Sequence, residues 1–156
     1  MSSTLQKLDL PQAIEVEEAV LGALLMERDA LIEVIDGLPL RAFYGQAHRL
    51  IYEAMRALFK ENRPIDPRTV LHQLRKMGKL EAAGGAETLS HVAGCVASAE
   101  HLASHVQILM EQAMRRALIA TAATIRSQAL DETLESAGLV DQAEQALFEV
   151  TNKAST

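Results

Sequence analysis

Apolar residues recur every three or four positions along most of the chain, and Gly and Pro interrupt this pattern at intervals. Five segments of the first two thirds are predicted as helices on this spacing: 13–27, 29–36, 46–60, 67–78 and 86–95. Asp66 and Pro67 have the residue types expected for an N-cap and a first helical position. No segment alternates between apolar and polar residues for long enough to predict a β-strand. The pattern therefore predicts an all-α fold.

The last third of the chain has a different character. Between Ser98, a candidate N-cap, and Leu130 there is neither Gly nor Pro, which predicts one helix of roughly 30 residues. A polar break at 131–138 precedes a last amphipathic helix, and two long helices joined by a short loop lie antiparallel. We therefore predict three parts: a flexible tail over 1–12, a compact globular helical bundle over 13–96, and a helical hairpin over 97–156 that ends in the start of a linker.

The long helix carries two adjoining apolar stripes. The first comprises Leu102, Val106, Leu109, Ala113, Ala117, Ala120 and Thr124, and the second comprises Met110, Met114, Leu118 and Ile125. A helix longer than a small bundle is wide cannot bury both stripes on its own bundle, so we expect one stripe to meet the returning helix and the other to meet a second molecule. The predicted interface residues are Leu102, Val106, Leu109, Met110, Ala113, Met114, Ala117, Leu118, Leu147 and Val150. Leu109→Asp or Ala113→Asp is accordingly expected to disrupt a dimer.

The composition is that of a globular protein and argues against one function, nucleic-acid binding. A hydrophobic fraction of 49% and a charged fraction of 23% are ordinary for a globular chain, and the net charge of −6 argues against a dedicated nucleic-acid clamp. Two basic edges are present, at Arg49, Arg56, Lys60 and Arg63 and at Arg68, Arg75, Lys76 and Lys79. The chain up to Ser98 has 11 basic against 13 acidic residues, so we interpret both edges as solvated faces, with little or no direct nucleic-acid binding.

The termini and the cysteine content indicate a cytoplasmic protein. The N-terminal residues have no apolar core of a signal peptide, and no stretch approaches about 18 uncharged apolar residues, so no membrane span is predicted. Cys95 is the single cysteine and cannot form an internal disulfide.

Catalytic and metal-binding patterns are weak in this sequence. Gly78-Lys79 is followed by Leu80 and lacks the preceding glycine of a phosphate-binding loop, so it is interpreted as a helix end. His101 and His105 are one helical turn apart, as are His91 and Cys95, but neither pair has an evident third ligand, and zinc sites need three or four. We therefore predict no catalytic, cofactor-binding or metal-binding residues in this chain.

Five blocks along the chain have distinctive residue combinations: PQAIEVEEAVLGALL at 11–25, FYGQAHRLIY at 43–52, PID at 64–66, GKLEAAGG at 78–85 and AEQALFEV at 143–150. In order and spacing they resemble the N-terminal domain of the DnaB-type bacterial replicative DNA helicases. Each block is weak alone, and together they span nearly the whole chain. The chain departs from the family at Thr88, where an aromatic residue often follows the two glycines.

The resemblance implies a function that the pattern alone does not. In this family the N-terminal domains pair through their C-terminal hairpins, and three pairs form a collar on the hexameric motor, where the helicase-binding domain of primase docks and where loaders act in some members. The family continues into a RecA-like ATPase with a phosphate-binding loop, so unwinding, ATP and Mg²⁺ would belong to that motor domain and not to this chain.

A second interpretation stays open at this point. The same hairpin could belong to a free-standing helical adaptor, such as a helicase loader or inhibitor, that binds another protein. An ATPase encoded downstream of Thr156 would favour the helicase, and a natural stop codon there would favour the adaptor.

Overall fold

The computed structural model describes residues 9–95 and 101–154. Within these ranges the chain forms α-helices and no β-strand, which confirms the predicted fold class. The helices are α1 (Ile14–Met26), α2 (Arg28–Val34), α3 (Gln46–Lys60), α4 (Pro67–Lys76), α5 (Gly85–Ala93), α6 (Leu102–Leu130) and α7 (Ser136–Ala154), with a 3-10 helix at Leu40–Ala42 between α2 and α3.

The chain divides into two compact units. Among the described residues, the globular unit comprises 12–95 and 101–110, and the hairpin unit comprises 111–154 together with 9–11. The globular unit thus ends at Met110 and not at residue 96, where the sequence pattern places the boundary. The reason is packing, because Leu102 and Leu109 at the start of α6 belong to the hydrophobic core of the globular unit.

Helix α1 is the central element of the globular unit. It packs against α2, α3 and α5, while α3 packs against α4 and α4 against α5. Val20, Leu21 and Leu24 on α1 have no exposed surface. They belong to one hydrophobic core with the buried apolar residues of the neighbouring helices, which the 3.6-residue spacing predicts. Residues 20–25 of α1 are all buried, so the other helices of the unit cover this part of α1 on every side.

Most predicted helix ends agree with the structure. Helix α3 has the predicted bounds, and α4 begins with a capping box in which the Asp66 carboxylate accepts from the Thr69 backbone N–H (2.9 Å) and the Thr69 hydroxyl accepts from the Asp66 N–H (2.9 Å). The 3-10 helix was not predicted. The proposed N-cap at Ser98 lies outside the described residues, and α6 is described from Leu102 onward.

A glycine sets the distance between α1 and the end of α5. A Cβ atom at Gly22 would lie 2.2 Å from the carbonyl oxygen of Cys95 and 2.9 Å from that of Val92. Any side chain at this position would therefore push the two segments apart, so Gly22 permits a backbone contact that places the face of α1 directly beside residues 91–95.

None of the described helices is both long enough and apolar enough to cross a lipid bilayer.

Candidate interaction surface on the helical hairpin

The turn between α6 and α7 is held by a local hydrogen-bond pair. The carboxylate of Asp131 accepts from the backbone N–H of Thr133 (3.0 Å) and from its hydroxyl (2.6 Å), and the N–H of Leu134 donates to the carbonyl of Asp131 (3.2 Å). The hydrogen bond from the Thr133 hydroxyl holds the pKa of the Asp131 carboxyl below its ordinary value. The two long helices therefore follow one another through a tight, side-chain-stabilised turn.

Each helix of the hairpin unit has one covered face. On α7 the half-buried residues are Leu139, Ala143, Ala146 and Val150, which fall at intervals of four, three and four residues and so share one side of the helix. On α6 Ala113 is buried, and the half-buried residues that continue its line are Ala117, Thr121 and Ile125. Ala120 and Thr124, which the predicted first stripe includes, are exposed.

Large apolar side chains outside these covered positions are exposed in this unit. Of the twelve such side chains that are exposed in the described residues, seven lie between residues 118 and 148, and Phe148 is the most exposed aromatic, at 67%. We call five of them the hairpin apolar surface: Leu118, Ile119, Val140, Leu147 and Phe148. A concentration of exposed apolar side chains on one small unit is typical of a protein-interaction surface, whereas single exposed apolar residues need no explanation.

The structure divides the ten predicted interface residues into three groups. Leu102 and Leu109 are buried in the core of the globular unit, and Val106 and Met110 pack against that core, so their own chain already covers all four. Ala113 is buried, and Met114, Ala117 and Val150 are half-buried. Leu118 and Leu147 are exposed and lie on the hairpin apolar surface.

Sequence reasoning missed three members of this surface. Ile119, Val140 and Phe148 were not named because they lie outside the predicted stripes, although an aromatic residue at 148 on a polar helix side was a visible signal. Helical spacing at 100° per residue places Phe148 about 180° from the half-buried Leu139, which is why the side chain faces outward.

The most characteristic sequence block, 43–52, has a structural role in the globular unit. The Tyr52 ring is fully buried against Phe43, with 5.0 Å between ring centroids, and its hydroxyl donates to the carbonyl of Leu38 (2.7 Å). Burial raises the pKa of Tyr52 to about 12, against a smaller lowering by the charge of Arg56. The Arg49 guanidinium donates to the carbonyl of Phe43 (2.9 Å). These contacts fix the segment before α3.

Glu17 on α1 also holds the segment before α3 in place. Its carboxylate has no exposed surface, and it accepts from the backbone N–H of Tyr44 (2.7 Å) and of Gly45 (3.1 Å) while lying 2.9 Å from Nδ1 of His48. Gly45 is the N-cap of α3, so a carboxylate from another helix satisfies donors at the start of α3, where the helix dipole favours negative charge. Each carboxylate oxygen therefore has a partner.

Some cations of the predicted basic edges form ion pairs or contact an aromatic ring within the globular unit. Lys79 pairs with Glu53 (3.1 Å), Arg63 with Glu61 (3.7 Å), and the guanidinium of Arg56 lies 5.9 Å from the centre of the Tyr52 ring. A groove of about 600 Å³ lies between the end of α3 and α4, and its lining includes Leu58, Arg63, Pro64, His72 and Arg75. These contacts agree with the interpretation of the edges as solvated faces carrying local ion pairs.

A cluster of three ligand-type side chains lies between α1 and the end of α5. Glu18, His91 and Cys95 bring one carboxylate oxygen, one imidazole nitrogen and the sulfur within 4.8 Å of one another. His91 Nε2 lies 2.6 Å from Glu18 Oε2, and the thiol donates to the carbonyl of His91 (3.2 Å). Burial raises the pKa of the Cys95 thiol above its ordinary value, and the nearby carboxylate of Glu18 raises it further.

The chain is similar in sequence to known proteins over most of its length. The family model described as the DnaB-like helicase N terminal domain matches residues 9–111. The replicative DNA helicase DnaB of Rhodothermus marinus is 37% identical over 142 residues, which is 91% of this chain and 15% of that protein. The replicative DNA helicase DnaC of Bacillus subtilis is 34% identical over 146 residues, which is 94% of this chain and 32% of that protein. The chain thus spans less than a third of the length of these two relatives.

Solved structures agree with the sequence matches. The N-terminal domain of DnaB helicase from Mycobacterium tuberculosis superposes with a TM-score of 0.85 at 29% identity, covering 90% of this chain and 99% of that chain. A DnaB-like replicative helicase, described together with its interactions with primase, superposes with a TM-score of 0.70 at 26% identity, covering 88% of this chain and 31% of that chain. The family model covers well over half of the chain and the fold agrees with it, so the chain belongs to the DnaB-like helicase N-terminal domain family.

Proposed function

We propose that this chain is the collar domain of a replicative DNA helicase, which pairs helicase subunits through the hairpin unit and recruits primase. Three such pairs would form the collar of a hexamer, and a separate motor domain would bind ATP and Mg²⁺ and carry out unwinding. The chain itself would supply no catalytic group. The observation that carries the proposal is the hairpin apolar surface, which exposes Leu118, Leu147 and Phe148 on a member of this family.

A second copy of the chain is the occupant that best fits this surface. Exposed Leu, Ile, Val and Phe side chains give an apolar contact, and a two-fold interface brings the same patch of both copies together. The small residues Ala122 and Ala123 lie close to Ile119 in sequence and are exposed, so a bulky side chain of the partner can approach the α6 backbone there. Phe148 has the residue type and exposure expected of an anchor.

Phe148→Asp is expected to weaken self-association at least about a hundredfold, because the anchor is replaced by a charge that a dimer would have to bury; a hundredfold is about 2.8 kcal/mol. Light scattering on the wild-type chain should give twice the mass of 17.0 kDa at concentrations where the variant gives the single mass.

The matched control introduces the same charge elsewhere on α7. Gln142 is exposed and, at 100° per residue, lies about 120° around the helix from Phe148. Gln142→Asp should keep the wild-type mass. A wild-type chain that stays monomeric, or a Phe148→Asp variant that keeps the dimer mass, would contradict pairing through this surface.

The primase part of the proposal rests on the family and on its structural relative. That relative is a DnaB-like helicase studied with primase, and it superposes on 88% of this chain. The helicase-binding domain of the primase from the same organism is therefore expected to form a complex with this chain that light scattering detects as an added mass. Absence of any complex with the dimeric chain would contradict primase recruitment and leave pairing untouched.

A further inference from the structure

We propose that Glu18 Oε2, His91 Nε2 and Cys95 Sγ together bind one thiophilic divalent cation, for which Zn²⁺ is the best match, with a water molecule as the fourth ligand. The three atoms lie within 4.8 Å of one another. Carboxylate, imidazole and thiolate are the ligand types that zinc takes in proteins, and a mixed set with one thiolate disfavours Mg²⁺ and Ca²⁺, which take oxygen ligands.

The distances between the side chains are close to those of a tetrahedral site. Metal–ligand bonds of about 2.0 to 2.3 Å at a tetrahedral angle put two ligand atoms roughly 3.4 to 3.6 Å apart. Cys95 Sγ and His91 Nε2 are 3.9 Å apart, so this pair must approach by only a few tenths of an ångström. His91 Nε2 and Glu18 Oε2 are 2.6 Å apart and must separate by about 0.8 Å, which rotation of the exposed imidazole allows.

The scaffold holds these ligands on two different segments. His91 and Cys95 are one helical turn apart at the end of α5, and Glu18 projects from α1. Gly22, one turn after Glu18, contacts the carbonyl of Cys95 so closely that a side chain there is excluded. The close contact of the two segments is therefore fixed by the backbone, and a cation would fasten α1 to the end of α5 with little reorganisation.

An ion pair alone accounts for only part of the cluster. The Glu18–His91 contact is explained by opposite charges when the imidazole is protonated, but that charge pairing does not account for the thiol, which lies 3.9 Å from His91 Nε2 and donates to the carbonyl of His91. A cation would use all three groups at once: the carboxylate and the thiolate balance its two positive charges, and the neutral imidazole supplies a nitrogen. Binding releases the thiol proton to solvent, and an imidazole that is protonated in the ion pair with Glu18 releases its Nε2 proton as well.

The other histidine pair in the chain provides an internal comparison. His101 and His105 are also one turn apart, with ring centroids 6.3 Å from each other. Among the residues that the structure describes, no third His, Cys, Asp or Glu completes a cluster around them. Two histidines alone bind divalent cations weakly, so substitution of this pair serves as the matched control.

The test uses the full chain under reducing conditions with Co²⁺ and Zn²⁺ as probes. Co²⁺ should bind with one-to-one stoichiometry and show thiolate-to-cobalt charge transfer in the near ultraviolet, and Zn²⁺ competition against a chromophoric chelator should give its affinity. Cys95→Ser should abolish the charge-transfer band. Cys95→Ser and His91→Ala should each weaken Zn²⁺ binding at least about a hundredfold, since loss of an outer-shell partner alone costs about 10–100-fold.

Two outcomes would overturn the proposal. One is a Co²⁺ spectrum without the thiolate band in the wild-type chain. The other is Zn²⁺ affinity that falls in a His101→Ala/His105→Ala variant and stays unchanged in Cys95→Ser. His91 and Cys95 are not part of the buried core, so His91→Ala and Cys95→Ser should each keep the wild-type circular dichroism spectrum. Glu18→Gln provides a third variant, which retains the shape of the side chain.

Discussion

Leu109→Asp is expected to destabilise the globular unit strongly. Leu109 has no exposed surface and belongs to the same core as Val20 and Leu21 of α1, so an aspartate there would place an unpaired charge among apolar side chains. The cost should be about 4 kcal/mol or more, which is a large part of the stability of a typical domain. For a chain of this length that corresponds to a melting temperature lowered by roughly 8–16 °C.

The control for this prediction lies on the same helix. Leu118 is nine residues after Leu109, which is about half a turn around α6, and its side chain is 43% exposed. Leu118→Asp should keep the helical circular dichroism signal and change the unfolding free energy of the monomer by no more than about 0.5 kcal/mol, while it lowers the mass measured by light scattering. Thermal melts at a concentration where all variants are monomeric separate the two effects.

Leu109 is buried and Leu118 is exposed, and the difference shows how much the apolar pattern of the sequence can predict. The spacing of Leu102, Val106 and Leu109 correctly predicts one buried side of a long helix, but it does not say which molecule covers that side. The start of α6 is covered by its own globular unit, so Leu109→Asp, expected from the sequence to separate dimers, now serves as a folding variant. Periodicity records how a helix is buried and carries no information about the identity of its neighbour.

Local signals were the most reliable. The Asp66–Pro67 start of α4 was predicted from residue types alone because a capping box involves side chains and backbone within a few residues of each other. The 3-10 helix at Leu40–Ala42 was missed because three residues give no periodicity. The family blocks supplied the fold and the family, which the comparisons confirm.

Contacts between distant segments were beyond the sequence pattern. His91 and Cys95 were recognised as a pair at helical spacing, but Glu18 is more than seventy positions away and joins them only after α1 packs on α5. Glu15, Glu17 and Glu18 lie near the start of α1, where acidic residues usually complement the dipole of their own helix. In the structure Glu17 instead serves α3, and Glu18 pairs with His91. Polar residues that are distant in sequence become partners only when the helices pack, so local sequence patterns do not predict these pairs.

Glu17→Ala is the second substitution with a large expected effect. The change removes the carboxylate that accepts from the Tyr44 and Gly45 N–H groups and that lies 2.9 Å from Nδ1 of His48. Breaking a buried pair of this kind costs about 3–5 kcal/mol, more than most single substitutions. The structure places this loss at the start of α3, next to the buried Tyr52, so the whole globular unit should become less stable and not only one helix end.

Chemical denaturation of monomeric chains measures the effect of Glu17→Ala, with Glu15→Ala as the matched control. Glu15 is exposed on the same helix turn, and its loss should cost no more than about 1 kcal/mol through the helix dipole. Glu17→Gln retains one acceptor oxygen and should fall between the two, because its amide group also introduces a donor facing other donors. Equal unfolding free energies for Glu17→Ala and Glu15→Ala would show that solvent replaces the carboxylate, and the buried acceptor would then have no part in holding α3 to α1.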